Sequence, residues 1–193
     1  MRHNKIRDLE AEIMQEVCQD VKIEPALLPV VNDNLLAATT NQTENARLDV
    51  SAIGVYGPHE KTFLDIRIMH PMCPSYINKS IDKVYEEHEK LKKREYNERV
   101  IQVEKGSFTP IVFSTFGGMG KETTVYHKRI AQLIAKKRGE TYSSVMNFIR
   151  TRLRFCLLKS VLTSIRGVRE KRATRNFIAP ISSLSFNLIE VNE

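Results

Sequence analysis

Cysteine is scarce in this sequence: Cys18, Cys73 and Cys156 are the whole supply, and they stand far apart. That excludes a disulfide framework and a zinc site built on paired thiols, and it suits an intracellular, reducing compartment. Long apolar runs are missing too, the longest falling far short of the ~20 residues that cross a bilayer. The opening MRHNKIRDLEAEI is charged where a signal peptide carries its apolar segment. No internal repeat or low-complexity segment is visible. Acid is rare in one region. Between Lys121 and Arg175 fifteen Lys and Arg face three acids, Glu122, Glu140 and Glu170, a local balance of +12 in a chain of net +7. The remainder therefore carries −5. A basic lobe on a slightly acidic body points to a polyanion partner, nucleic acid first, with a merely solvated face as the bland alternative.

At 193 residues, 41% of them hydrophobic, the chain has room for one ordinary globular domain, taken as 1–166, with a basic tail over 167–193. Residues 4–19 show helical periodicity, with Ile6, Leu9, Ile13, Met14 and Val17 on one stripe. VKIEP (21–25) is a short strand stopped by Pro25, and the polar stretch 32–45 reads as a loop. Two short apolar runs follow around GVYGPHEK, then a Pro-punctuated connector over 70–80. A charged helix spans 81–98. RVIQVE (99–104) and IVFST (111–115) are strand candidates, with KGSFTP as a turn between them. Two basic helices, 122–138 and 142–166, come after a glycine-rich loop. The second is expected to turn Val145, Phe148, Ile149, Leu153, Cys156, Leu157 and Val161 to the core. The tail ends in ISSLSFNLIEV, a possible last strand. The order predicts an α/β fold: a central mixed sheet of about four strands flanked by helices, with basic helices toward the C-terminus.

Each of the two short runs carries an acid in its middle: Asp49 in RLDV and Asp65 in FLDIRI. A strand carboxylate is costly unless it is exposed, paired or bound to something. An antiparallel hairpin with its turn at Gly57 and Pro58 sets residue i opposite residue 114 − i, and so Asp49 opposite Asp65. Both acids then share one face, their Cβ atoms roughly 5 Å apart. Leu48, Val50, Leu64, Ile66 and Ile68 point to the other face. Paired carboxylates repel, and a divalent cation removes that cost, since Mg²⁺ favours one or two carboxylates plus waters and phosphate oxygens. The alternative is that Arg47 and Arg67 simply neutralise the acids on a solvated face.

In this order the chain carries RHN (Arg2, His3, Asn4), EP (Glu24, Pro25), RLDV, FLDIRI, HEKLKKREY, and TPIVFST running into a glycine-rich loop. This series, over most of residues 2–120, resembles the restriction-like endonuclease domain of non-LTR retrotransposon polyproteins, a branch of the PD-(D/E)XK nucleases. The resemblance implies a restriction-endonuclease-like core and a metal-dependent DNA endonuclease. It implies Asp49 and Asp65 as ligands of Mg²⁺ or Mn²⁺, with Glu24 completing the metal shell or holding a metal-bound water. The catalytic lysine is implied on the helix after the second acid, Lys92 by spacing and Lys93 second, because Arg67 fills the strand position where many relatives keep lysine. DNA is the implied partner, held mainly through its phosphates; Arg67 on the strand, and by charge and position beyond the resembled stretch Lys121, Arg150 and Arg154, are the candidate contacts. A reverse transcriptase or retroelement RNA is a further implied partner, and a nuclear setting goes with it. Leu48 replaces the proline usual before the first acid, and Glu95 stands where lysine is frequent. A reverse transcriptase and a Cys/His knuckle usually precede RHN, so the chain reads as a detached piece of such a polyprotein.

Other motifs fade on inspection. GGMGK (117–121) lacks the first glycine of a phosphate-binding loop, where Thr115 stands, and the hydroxyl after the lysine, where Glu122 stands. A tight strand-to-helix turn explains it, although amides and Lys121 at the helix start offer a place for a DNA phosphate. His3, His59, His70, His88 and His127 show no metal spacing; only His3 lies in a matched motif. No Ser-His-Asp or Cys-His constellation is present, and Cys156 sits on an apolar stripe. Arg150, Arg152 and Arg154 cannot share one helix face, whereas Arg150 and Arg154 can. Their pattern suits either backbone tracking or arginines snorkelling around a buried stripe, and no aromatic interleaving marks a single-strand stacking platform. Two readings remain: an active endonuclease, and a nucleic-acid-binding or assembly module descended from one that no longer cuts.

Overall fold

The structure, a computed structural model, describes residues 2–30 and 40–166. The expected basic tail and terminal strand over 167–193 lie outside the described residues, as does most of the loop before residue 40. Helix α1 (Arg2–Gln15) opens the chain, followed by β1 (Gln19–Ile23), β2 (Val50–Ile53), β3 (Lys61–Met69), α2 (Ile81–Arg99), β4 (Ser107–Ser114), α3 (Lys121–Arg138) and α4 (Tyr142–Arg166). The four strands form one mixed sheet in the order β1-β2-β3-β4. The first two pairings are antiparallel and β3–β4 is parallel, with α2 as the crossover. The result is an α/β architecture with helices on both sheet faces.

Strand alternation divides the core. Val50, Ala52, Leu64, Ile66, Ile111 and Phe113 face α1, α3 and α4 in the larger cluster. Phe63 and Phe108 face the other way, where Tyr96 and Val100 cover them, and Met69 and Val112 meet Val84 and Tyr85 of α2. Each fully buried aliphatic such as Leu64 or Ile111 contributes about 1.5–3 kcal/mol. A fully buried pair, His127 Nε2 with Glu10 Oε1 at 2.9 Å, ties α3 to α1 and so sets where the first turn of α1 falls.

The β2–β3 register is Val50↔Leu64, Ser51↔Phe63, Ala52↔Thr62 and Ile53↔Lys61, the pairing symmetric about Gly57. The turn closes with Gly54 N–H donating to Glu60 O. Three expectations need correction. RVIQVE is not a strand: Val100–Glu104 continues α2 as a π-helical turn, ended at Lys105 by a left-handed backbone with φ 54°. KGSFTP is not a turn throughout, because β4 begins at Ser107 and pairs with Thr62–Asp65 before the apolar run starts. Pro110 is tolerated there because β4 is an edge strand. Phe148 is half-exposed on α4, away from the buried line of Val145, Ile149, Leu153 and Leu157.

Candidate functional site

Asp65 occupies the middle of β3, on the face turned toward α2, and is only 8% exposed. Lys92 reaches it from α2. Tyr85, His88, Lys92 and Tyr96 recur at helical spacing on the covered side of that helix, so the lysine stands inside a mostly apolar stripe. Its Nζ lies 2.8 Å from Asp65 Oδ2 and 3.5 Å from Glu95 Oε2, and 5.4 Å from the centre of the Tyr96 ring. The 2.8 Å contact is an ion pair without hydrogen-bond alignment, which leaves Asp65 Oδ2 buried with no directed donor.

Asp49 stands at a bend just before β2, not inside the strand. The bend breaks the side-chain alternation, while the backbone stays paired on both sides: Asp49 N–H donates to Leu64 O, Leu48 N–H donates to Pro25 O, and Ala26 bridges Arg47. Leu48 is consequently drawn into the cluster with Phe63 and Tyr96, away from the face expected for it. Asp49 extends the ladder with its side chain, Oδ2 accepting the Ile66 N–H at 2.6 Å. His3, from the first turn of α1, places Nε2 3.0 Å from Asp49 Oδ2 and 3.0 Å from Ile66 O. Both partners are acceptors, so Nε2 carries the proton.

The electrostatics couple these groups. Burial above all raises the Asp65 carboxyl to about 6; Lys92 opposes that rise, while Asp49 and Glu95 add to it. Burial alone lowers the Lys92 ammonium, but Asp65 first and Glu95 next outweigh it, and the net shift is upward. The hydrogen bond to Asp49 raises His3 against its own desolvation. Arg47 and Arg67 form no ion pair among the described residues, so Lys92 and His3, not the arginines, meet the acids.

The remaining expected site residues are distributed as follows. Lys93, one position round the helix, pairs with Glu122 at 2.8 Å. The Glu24 carboxylate is half-exposed and held by Arg7 of α1, although Glu24 N–H donates to Asp49 O at 2.9 Å. Arg67 is exposed two positions along β3 from Asp65, near His88, which burial first and Arg67 second hold below its ordinary value. Lys121, Arg150 and Arg154 are exposed. One amide at the start of α3 is already taken, because the Glu89 carboxylate accepts the Glu122 N–H at 2.9 Å. A Cβ on Gly120 would collide with that carboxylate.

Among the described residues no group of three or more His, Cys, Asp and Glu converges as a metal cluster. The acid pair still fits a hard divalent cation: it offers carboxylate oxygens only, and Asp65 Oδ2 is a buried acceptor without a directed donor. Sequence reading missed Glu95 as a second anion on Lys92, and missed Glu89 as the cap of α3; a glycine immediately before a helix is the one signal that hinted at the latter. No protein-family model matches the chain, and no curated protein matches it at a significant level. No described helix is long and apolar enough to cross a membrane.

Proposed function

We propose that the chain is a metal-dependent DNA endonuclease with a restriction-endonuclease-like core, related to the domain of non-LTR retrotransposon polyproteins that its motifs resemble. The observation that carries the reading is the meeting of a buried strand carboxylate, Asp65, with a helix ammonium, Lys92, at 2.8 Å beside a second carboxylate, Asp49. Asp49 and Asp65 would hold Mg²⁺ or Mn²⁺, and the bound ion supplies Lewis-acid polarisation of the scissile phosphate and of a water. His3 and the Ile66 N–H fix Asp49 Oδ2. Lys92 stays charged at neutral pH, so it orients the attacking water and offsets charge on the phosphate without itself taking the proton. In the hydrolysis the water oxygen bonds to phosphorus and its proton passes to solvent, the ester P–O bond breaks, and the leaving oxygen takes a proton from solvent. Arg67, exposed beyond Asp65 on β3, is placed to hold a flanking phosphate.

Supercoiled plasmid incubated with Mg²⁺ or Mn²⁺ is expected to be nicked, with nicking lost in EDTA and in Asp65→Ala. Nicking that survives Asp65→Ala overturns the assignment. A second reading has its own support: each acid already has a cationic or donor partner without any metal, Lys92 for Asp65 and His3 for Asp49. On that reading the network is structural and the chain binds nucleic acid without cutting it. Salt-sensitive DNA binding, no cleavage, and an Asp65→Ala protein that binds as well or better would mark it.

A further inference from the structure

We propose that the cleft between the β4–α3 loop and α4 receives an unpaired base of a DNA strand; the inference rests on reading the chain as one that acts on DNA. Phe116 follows β4 and is 71% exposed, yet it is not loose: His70 meets its ring edge-on, with centroids 5.6 Å apart at 76°. Gly117 has φ +85°, and a Cβ there would stand 3.3 Å from Arg154 Cγ, so the Arg154 stem lies across the loop beside the exposed ring. No carboxylate among the described residues pairs with Arg154. Leu157 and Leu158 add apolar walls to a space of about 590 Å³, to which no acidic residue contributes.

Charge selects the occupant. Helix α4 contains no Asp or Glu between Tyr142 and Arg166. Two copies packed through this face would set Arg150 and Arg154 against each other with no acid to match. The neighbouring cleft between α1 and α4 carries Asp8 and Glu12 and suits a polyanion less well. An exposed aromatic ring beside an unpaired guanidinium is the pairing that takes a base on the ring and a phosphate on the cation, with little dependence on sequence. His70 lies five residues past Asp65, roughly 17 Å of extended strand, so a strand passing the acid pair reaches the cleft within a few nucleotides.

The test uses the full chain and a labelled single strand of about 16 nucleotides carrying 5-iododeoxyuridine, with its duplex as control. Anisotropy is expected to show the single strand bound more tightly than the duplex, about tenfold more weakly by Phe116→Ala, and near wild type by Phe116→Trp. Ultraviolet crosslinking is expected to map to the peptide containing Phe116. An unchanged single-strand affinity in Phe116→Ala, crosslinks confined to other segments, or a dimer that Phe116→Ala dissolves would each overturn the proposal. So would anionic-vesicle binding that depends on Phe116 in the absence of single-strand binding. Nicking is read separately: a protein that fails to nick but crosslinks at Phe116 removes the endonuclease reading and leaves the cleft standing.

Discussion

Asp65→Asn is the perturbation that reports most directly on the site. The carboxyl is raised from its ordinary 3.8 to about 6, chiefly by burial. A raised acid binds its proton more tightly in the folded than in the unfolded chain. Its stabilising contribution is therefore full below pH 3.8 and is lost as pH climbs through about 6. The shift corresponds to about 3 kcal/mol at 1.36 kcal/mol per pH unit. Asparagine imitates the protonated acid, keeps its shape and leaves Lys92 in place. Guanidinium denaturation of both proteins across this range, in EDTA, should show wild-type stability falling by about 2.4 kcal/mol relative to Asp65→Asn between pH 4 and pH 7. Mg²⁺ at ten times its dissociation constant should then restore about 1.4 kcal/mol to the wild type and nothing to the variant. Parallel pH profiles would refute the burial of an ionised Asp65, and equal Mg²⁺ stabilisation of both proteins would refute its place in the metal site.

Other outcomes follow from the same contacts. Lys92→Met should abolish nicking, by about 10²-fold or more, and push the Asp65 carboxyl further up, whereas Lys93→Gln, cut off from the acids by Glu122, should nick within a few-fold of wild type. Glu24→Gln should alter Mg²⁺ affinity far less than Asp49→Asn, because Arg7 holds the Glu24 carboxylate; isothermal titration separates them. Arg99→Met should cost about 3–5 kcal/mol in chemical denaturation, since this fully buried guanidinium donates to Asn41 O, Thr43 O and Leu28 O. Gly120→Ala should lower the melting temperature by displacing Glu89 from the Glu122 N–H, a loss of about 1–2 kcal/mol.

Local signals told true where local physics decides. Alternation on either side of Gly57 specifies the β2–β3 register, because a one-residue slip would turn Leu64 and Ile66 out of the core. The preference for Lys92 over Lys93 comes from the spacing of the resembled motif, one turn before Tyr96, and not from periodicity; in the structure Lys92 meets Asp65 and Lys93 meets Glu122. Non-local pairing decided the rest. RVIQVE has the β-branched content of a strand, but Arg99 is buried against three carbonyls of the segments around Leu28 and Asn41, and that anchorage keeps the chain helical through Val100. Ser107–Pro110 becomes strand only because Thr62–Asp65 lie alongside it. In α4 two apolar stripes exist, one through Val145, Ile149 and Leu153 and one through Phe148, Phe155 and Leu162. Periodicity alone does not say which stripe meets α1 and α3, and so it does not separate Phe148 from the buried line.

An ammonium carried by the helix and not by the strand has a physical consequence. A residue two positions beyond Asp65 in β3 shares its face but lies roughly 7 Å farther along the strand, and here that residue, Arg67, is exposed. Lys92 instead descends from the covering layer directly onto the buried carboxylate. Burial acts against both charges, raising Asp65 and pulling Lys92 down, yet the ammonium ends above its ordinary value because Asp65 first and Glu95 next outweigh burial, whereas Glu95 only adds to the rise of Asp65. The two members of the pair are thus unequally committed: Lys92 is firmly charged, while Asp65 is the group whose charge is costly. A cation that engaged Asp65 would relieve the costly member and free the ammonium, still held near the site by Glu95, to face water and phosphate. Glu95, the residue that departs from the usual lysine of the resembled domain, is then the tether that keeps Lys92 in position when its partner is taken.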